Sequence, residues 1–265
     1  EAMLELGRGL GSGRLVTGHY ARVYREGGGA SGAGSPEEPG SLGEGPSPLL
    51  RVAVDPVKDQ SYVLCGLAPE SLAQLRFPLG GMRKEEVREV AEREGLEVAR
   101  KPDSQDLCFL AGTGLSRFLE RHGELEGAPG PIVDRKGREL GVHGGSRSFT
   151  IGQRHGLGLG GGEPLYVLAT EAGANRVTVG PRKELLTWRV SVREATLRRE
   201  GGVVDHVKVR SRGRRLPCRL LEPAAPGEHA HLEVELSEPI ERTAPGQIAC
   251  LFAGEVIVGY GTIAA

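Results

Sequence analysis

The chain has 265 residues, which suits two or three small domains better than one large core. Its 34 Lys and Arg residues nearly balance its 35 Asp and Glu residues, so the mean charge points to no class of partner. The four cysteines lie far apart without a CxxC pair, which excludes a cysteine-rich metal site and favours a reducing compartment. No apolar run approaches the roughly 18 residues of a membrane span, so we expect a cytoplasmic protein with no membrane partner.

The first 110 residues alternate between short strands and helices, which is typical of an α/β sheet. Residues 26–48 are mostly Gly, Ser, Pro and Glu with little to bury, and they predict a flexible insertion. The chain begins at Glu1 inside an apparent helix, so we expect its true N-terminus to be missing. The spacing predicts strands at 15–16, 49–54 and 96–99 and helices at 61–67, 69–75 and 83–94.

Cys108 ends a polar turn and is followed by the apolar Phe109. Asp103 and Ser104 can bond nearby backbone groups and hold such a turn in place. A thiol beside polar groups at this position can have a lowered pKa and act as a nucleophile. The alternative is a small buried side chain in a short strand, and the local residues alone favour that alternative.

In the second half of the chain, the mixed pattern of helices and strands gives way to a pattern of strands alone. Residues 131–140 predict a hairpin, and the glycine-dense residues 141–162 lack the GxxxxGK[ST] spacing of a P-loop. From residue 164, short strands recur about every ten residues, which predicts a small β-barrel or sandwich. We therefore expect a catalytic domain over 1–110, an adaptor over 111–163 and a barrel over 164–265. The predicted barrel strands are 165–170, 176–179, 189–197, 205–210, 216–221, 231–236 and 248–252.

Three polar segments are candidates for ligand contacts. Thr17-Gly18-His19-Tyr20 follows a strand and can hold a nucleotide phosphate or ribose, with an ordinary turn as the alternative. Lys58-Asp59-Gln60 can contact a sugar–phosphate backbone, with a solvated helix start as the alternative. A basic run on predicted strands suggests either a nucleic-acid surface or a solvated barrel face. Its cations are Lys208, Arg210, Arg212, Arg214, Arg215 and Arg219.

Six segments stand out as a set: Thr-Gly-His-Tyr-Ala-Arg at 17–22, Lys-Asp-Gln-Ser-Tyr at 58–62, Phe-Pro-Leu-Gly at 77–80, Asp-Ser-Gln-Asp-Leu-Cys-Phe at 103–109, Thr-Ile-Gly-Gln-Arg at 150–154 with Gly-Leu-Gly at 156–158, and Pro-Gly-Gln at 245–247. In this order they resemble the tRNA-specific 2-thiouridylases, which put sulfur on the wobble uridine of certain tRNAs. The resemblance covers nearly the whole chain outside 26–48. Each segment alone is weak, but the set is highly specific.

The resemblance implies that ATP adenylates the uridine carbonyl oxygen and that a cysteine persulfide, loaded by a sulfur-relay protein, then supplies sulfur. It implies that Cys108 carries the persulfide and that a second family cysteine completes the transfer by forming a disulfide with it. It also implies that Gly18 contacts ATP, which Mg²⁺ accompanies, and that His19 lies beside the target base. The tRNA contacts that it implies are Lys58, Asp59, Gln60, Arg210, Ser211 and Gln247, although the family has Tyr where this chain has Ser211.

The family begins with a Ser-Gly-Gly-Val-Asp-Ser pyrophosphatase loop and an earlier catalytic cysteine, and neither occurs in this sequence. Cys65, Cys218 and Cys250 do not match that cysteine. We therefore expect an incomplete copy, inactive alone: half of a parallel-sheet ATP-pyrophosphatase domain, a central adaptor and a C-terminal β-barrel. One alternative is a non-catalytic RNA-binding module. Another is an ATP-pyrophosphatase acting on a small molecule, such as a relative of argininosuccinate or guanylate synthesis, which the Lys58 loop and residues 150–158 disfavour.

Overall fold

The computed structural model describes residues 2–25, 47–100, 128–160 and 162–264. Two compact units are present: unit 1 is Glu1–Lys101, Arg189–Ser237 and Gly246–Ala265, and unit 2 is Pro102–Trp188 and Glu238–Pro245. The helices are α1 (Ala2–Gly9), α2 (Ser61–Leu64), α3 (Pro69–Gln74) and α4 (Lys84–Arg93). The strands are β1 (Leu15–Val16), β2 (Arg22–Tyr24), β3 (Leu49–Arg51), β4 (Leu75–Arg76), β5 (Gly130–Val133), β6 (Glu139–His143), β7 (Leu165–Glu171), β8 (Arg176–Pro181), β9 (Leu186–Leu197), β10 (His206–Lys208), β11 (Leu216–Leu220), β12 (Gly227–Glu241), β13 (Ile248–Ala253) and β14 (Val256–Ile263).

An eight-stranded sheet forms most of unit 1. Its order is β13-β10-β11-β12-β9-β14-β3-β2, and β13 also pairs with β14. This additional pairing closes six of the strands into a barrel, which removes the exposed edges of an open sheet. The predicted C-terminal barrel is therefore confirmed. No helix within the described ranges is long and apolar enough to cross a bilayer.

The predicted parallel sheet is represented, in the described part of unit 1, by the pair β1 and β4, with Leu15 opposite Leu75. The strand predicted at 49–54 is shorter, and as β3 it runs antiparallel to β2 and β14. Its Leu50 packs in one buried cluster with Phe252 and Ile257. Placing β3 in the parallel sheet was wrong, because the barrel core buries its side chains.

The helices after β3 share that same core. Tyr62 of α2 and Leu72 of α3 belong to the cluster that contains Phe252 of β13. In contrast, α4 has no fully buried residue, and the three apolar residues predicted to face inward are only partly buried. These residues are Val87, Val90 and Ala91.

The prediction of a strand at 96–99 is wrong. Gly95 has a φ of +69° and ends α4, and the Leu96 amide bonds back to the Ala91 carbonyl at 2.9 Å. Glu97–Arg100 then forms a 3-10 helix. A left-handed glycine followed by a backward hydrogen bond is a common helix terminus, and it turns the chain before a strand can extend.

Unit 2 contains a four-stranded sheet of order β6-β5-β8-β7. The hairpin predicted at 131–140 is confirmed by the antiparallel pair β5 and β6. Strands β7 and β8, which the sequence grouped with the barrel, bond to this sheet instead, because Val167 and Val177 share a core with Ile132. The predicted boundary at 163/164 stays a prediction, and the one at 110/111 lies outside the described residues.

Candidate functional site

The loop at 17–20 is bonded on both sides. The Thr17 amide donates to the Arg76 carbonyl at 3.0 Å, which continues the β1–β4 pairing. The Tyr20 amide donates to Gln60 Oε1 at 3.0 Å, and the Gln60 amide donates back to the Tyr20 carbonyl at 2.8 Å. Gln60 therefore joins two segments that the sequence identified separately. Its predicted contact with tRNA stays a prediction.

Within this loop, Gly18 is exposed and His19 is held in one orientation. A Cβ built on Gly18 would meet only Leu79 Cδ1, at 3.8 Å, so its backbone is open to a ligand. Thr17 Oγ1 lies 3.0 Å from His19 Nδ1, and the imidazole packs edge-on against Phe77 with 6.3 Å between ring centroids. A hydroxyl and an aromatic ring thus fix the imidazole plane.

Gly80 explains why the segment at 77–80 accompanies the segment at 17–22. A Cβ on Gly80 would lie 1.7 Å from the Ala21 carbonyl oxygen, so no other residue fits without moving the backbone. The Gly80 carbonyl also accepts a hydrogen bond from the Val54 amide at 2.9 Å. The two segments are therefore packed backbone to backbone.

The Asp59 carboxylate is buried and organises its own loop. Its side chain is 7% exposed, and it accepts hydrogen bonds from the Ala53 amide and the Ser61 hydroxyl, both at 2.9 Å. Lys208 Nζ lies 3.9 Å from Asp59 Oδ2. Neither a solvated helix start nor a fully exposed contact loop describes this arrangement. Any contact of Asp59 with tRNA stays a prediction.

Lys208 was predicted on a basic face of the barrel, and that prediction is wrong. The residue is 8% exposed, at the end of β10, and its ammonium lies 5.8 Å from the centroid of the Tyr62 ring. A buried ammonium requires a partner, which Asp59 and the ring face supply. Lys208 therefore holds the barrel against the Lys58 loop.

The other cations of the run do not share one sheet face, because β10 ends at Lys208. Arg210 and Ser211 are exposed in a turn closed by a 3.0 Å hydrogen bond from the Gly213 amide to the Arg210 carbonyl. Arg215 donates to the Gly254 carbonyl at 2.5 Å, and Arg219 pairs with Glu235. The predicted Arg210 contact therefore lies on an exposed turn near the buried Lys208.

Gln247 is exposed immediately before β13. The turn that presents it contains Gly246 with a φ of +86°, and backbone hydrogen bonds join both residues to Ile263 at 3.0 and 2.7 Å. One residue later, the Ile248 carbonyl accepts a hydrogen bond from the Tyr62 hydroxyl at 2.7 Å. The Gln247 turn is thus attached to α2, which directly follows the loop that Lys208 contacts.

The backbone at Lys58 is fixed by Asp55. One oxygen of Asp55 accepts from the Val57 and Lys58 amides at 2.9 and 3.1 Å, and the other accepts from the Lys84 amide at 3.0 Å. Burial acts to raise the Asp55 pKa, but these amide hydrogen bonds together outweigh it and leave the pKa below its ordinary value. The loop tip is therefore built around a carboxylate that stays ionised at neutral pH.

Comparison with known proteins identifies the family. Three family models match in succession: the tRNA methyl transferase HUP domain over residues 1–112, the tRNA methyl transferase PRC-barrel domain over 116–181 and the aminomethyltransferase beta-barrel domain over 185–263. A tRNA-specific 2-thiouridylase MnmA from Beutenbergia cavernae is 39% identical over 100% of this chain and 67% of its own length. The chain belongs to the tRNA-specific 2-thiouridylase family.

Other 2-thiouridylases show the same extent of similarity. The MnmA protein of Geotalea uraniireducens is 38% identical over 99% of this chain, and that of Thermobifida fusca is 41% identical over 100% of it. The chain covers 65% and 66% of these two relatives. It therefore spans about two thirds of the length of the 2-thiouridylases that it matches.

Three of the four cysteines can be described, and the predicted persulfide residue Cys108 lies outside the described residues. Burial raises the pKa of Cys218 to about 12. Burial also raises the pKa of Cys250, whose neighbour Cys65 adds to the effect. The hydrogen bond with Cys250 lowers the pKa of Cys65, but that thiol is only 2% exposed. None of these three thiols is both ionised and accessible, as a nucleophile for an external substrate must be.

Two residues that hold predicted site residues in place were assigned no role from the sequence. Tyr62 was recognised only as part of a motif, yet its hydroxyl joins α2 to the Gln247 turn. Thr17 likewise contacts His19 directly. The Thr17 contact could have been suspected, because a hydroxyl two residues from an imidazole can reach it. No local signal could reveal the Tyr62 contact, since Ile248 is remote in sequence.

Proposed function

We propose that this chain acts in the ATP-dependent 2-thiolation of the wobble uridine of tRNA. One observation supports this proposal above the others. Through hydrogen bonds and an ion pair, residues 59–62 contact each of the other described segments that the sequence predicts to bind a ligand. Gln60 reaches the loop of Gly18 and His19, Asp59 reaches the strand before Arg210, and Tyr62 reaches the turn of Gln247. The names of the relatives, all tRNA-specific 2-thiouridylases, supply the substrate.

The role proposed for each residue comes from the family resemblance, and the surroundings of the described residues support it. The open backbone at Gly18 suits an adenine nucleotide, and ATP with Mg²⁺ would supply the adenylyl group that activates the uridine oxygen. The fixed imidazole of His19 would lie against the target base. Exposed Arg210, Ser211 and Gln247, together with the Lys58 loop, would contact the RNA. We place this activity in the cytoplasm.

Sulfur transfer is assigned to Cys108. A sulfur-relay protein would load its persulfide, and the terminal sulfur would bond to C2 of the adenylated uridine as AMP leaves. A second cysteine thiol would then break the remaining S–S bond to the new thiouridine and form a disulfide with Cys108. The high pKa of Cys218 and Cys250 and the burial of Cys65 make these residues poor substitutes.

Binding of folded tRNA at several salt concentrations tests the RNA contacts. Arg210→Ala and Lys58→Ala should each lower the slope of log affinity against log salt by about one, because each cation releases counterions from a phosphate. Arg93→Ala removes a charge from α4 outside the site and serves as the control. A parent slope near zero, or Arg210→Ala and Lys58→Ala slopes that match Arg93→Ala, would contradict the proposal.

Persulfide mapping tests the enzymatic part separately. After incubation with a sulfur donor, an alkylating label and mass spectrometry should find persulfide sulfur on Cys108. Label on Cys65, Cys218 or Cys250 with none on Cys108 would overturn the assignment. Salt-dependent tRNA binding without any persulfide would favour the alternative of a non-catalytic RNA-binding module. The expectation that the chain is an incomplete, inactive copy stays a prediction.

A further inference from the structure

The glycine-rich segment of unit 2 has no role in the proposed chemistry, yet it encloses a cavity of about 350 Å³. The described residues that line the cavity are 154–159 and 162–165. Arg154 and His155 lie at one end of this stretch, and Glu163 lies near the other. The cavity is therefore built by a single loop.

Hydrogen bonds hold the start of this loop in place. The Gln153 side chain accepts from the Thr150 amide at 3.0 Å and donates to the His155 carbonyl at 2.9 Å. The loop is also joined to β7, since Val167 bonds to Gly152 at 2.8 Å and to Gln153 at 2.9 Å through backbone groups. The start of the loop is thus fixed before any ligand arrives, and such preorganisation lowers the entropic cost of binding.

Two leucines anchor the same loop in the core of unit 2. Leu157 is 7% exposed and belongs to the buried cluster with Ile132 and Val167. Leu159 packs against that cluster and occupies the space beside Gly141, where a Cβ would lie 2.7 Å from Leu159 Cδ2. With the leucines directed into the core, the residues between them and before them face the solvent.

The exposed part of the loop has the chemistry of an anion site. Arg154 is exposed and has no hydrogen bond or ion pair with any described residue. Gly156 and Gly158 have φ values of +77° and +65°. Left-handed residues in a tight loop turn successive backbone amides toward one side, which forms a concave site for anions. The described lining residues include no aromatic ring apart from the imidazole of His155.

We propose that this cavity binds a phosphate group of the tRNA backbone, with Arg154 as its principal cation and the loop amides as further donors. The proposal rests on the proposed function, because it takes tRNA as the ligand. The near absence of aromatic rings favours a phosphate over a base, since base recognition in single strands commonly uses stacking on aromatic side chains. The site should contribute affinity and register rather than sequence selectivity.

Salt-dependent tRNA binding by the full chain is the first test. Arg154→Ala should lower the slope of log affinity against log salt by about 0.7–0.9, as expected for one lost phosphate contact. Arg147→Ala is the matched control, because Arg147 is an exposed arginine of the same unit outside the cavity. Arg154→Lys should retain most of the slope. If the parent binds tRNA and Arg154→Ala behaves as Arg147→Ala does, this proposal fails while the proposed function stands.

Two substitutions that each remove a negative charge test the cavity by a change that should strengthen binding. Glu163→Gln removes a carboxylate that lines the cavity, so it should tighten tRNA binding more than Glu139→Gln does, because Glu139 is exposed outside the cavity. Equal effects of the two substitutions would contradict a phosphate in this cavity. A parent without any affinity for tRNA would overturn this proposal and the proposed function together.

Backbone amide resonances locate the contact directly. Addition of tRNA should shift the Gly156 and Gly158 amides in the parent, and the shifts should weaken in Arg154→Ala. Inorganic phosphate in the same titration distinguishes the source of the anion. Shifts with inorganic phosphate but none with tRNA would overturn the proposal, as would the absence of any shift at these glycines when tRNA binds.

Discussion

Asp59 and Lys208 form an ion pair with 3.9 Å between Oδ2 and Nζ, and their side chains are only 7% and 11% exposed. The pair joins the loop before α2 to the last residue of β10. It places an acidic residue of one predicted contact segment against a basic residue of another. Lys208, which the sequence places on an exposed basic face, is therefore a buried structural charge.

We expect Asp59→Asn to lower the free energy of unfolding by about 1–3 kcal/mol, because it leaves the buried Lys208 ammonium without its counter-charge. Lys208→Met should lower it by a similar amount, and the two effects should be less than additive in the double variant. Urea denaturation measures the free energy of unfolding of these three variants and of the parent. Lys183→Met, at an exposed site, is the control and should change little. Full additivity of Asp59→Asn and Lys208→Met would show that the pair is not coupled.

Gly80→Ala should destabilise unit 1 by about 3 kcal/mol, the upper end of overpacking costs, because the new methyl would meet the Ala21 carbonyl and not a rotatable side chain. Gly81→Ala is a close control, since a Cβ there meets nothing within 4 Å. Thermal unfolding of the two variants should separate them clearly. Equal melting temperatures would mean that residues 77–80 do not pack on the 17–22 segment as described.

Gln60→Ala should remove the hydrogen bond that the Tyr20 amide donates to Gln60 Oε1 at 3.0 Å. We expect faster hydrogen exchange at Tyr20 and a loss of about 1 kcal/mol of stability, the usual net value of such a hydrogen bond. Gln60→Glu keeps an acceptor at this position and should preserve the protection. If Tyr20 exchanges at the parent rate in Gln60→Ala, the side-chain link does not hold the His19 loop.

Glu255 offers a test of pH dependence. Its Oε2 accepts from Arg51 Nη2 at 2.6 Å and from Arg22 Nη2 at 3.2 Å. The hydrogen bond from Arg51 is the main reason that the pKa of Glu255 is lowered below 4.5, and it outweighs the effect of burial. A carboxylate with a lowered folded-state pKa stabilises the fold fully above its unfolded pKa, and this contribution is lost as the pH falls through the folded pKa.

The parent should therefore be more stable than Glu255→Gln at pH 7, and the difference should shrink when the pH is lowered below 4.5. Glu228→Gln, at an exposed position, should show no comparable change. Denaturant midpoints between pH 7 and pH 3 measure the effect. A stability difference that does not vary with pH would mean that the carboxylate charge does not stabilise the Arg22 and Arg51 guanidinium groups.

The sequence alone determined the features that depend on neighbouring residues. The hairpin of β5 and β6 was predictable because Asp134 and Gly137 are turn formers, and the Asp134 side chain does accept amide bonds within that turn. Strand β11 was predictable because buried and exposed residues alternate along it, and strand β13 because it is a short apolar run. Family membership was predictable for a different reason, since several weak motifs in one order are specific together.

Only the tertiary structure decided which strands pair and which charges are buried. The sequence of β3 is compatible with a place in a parallel sheet or in a barrel, because the pattern of side chains along a strand does not identify the neighbouring strand. Lys208 and Arg210 are likewise similar in the sequence, yet one is buried and the other exposed. The difference arises because β10 ends at Lys208, and because Asp59, which is remote in the sequence, lies beside Lys208 in the fold. Such contacts depend on how distant segments pack, and no local pattern encodes them.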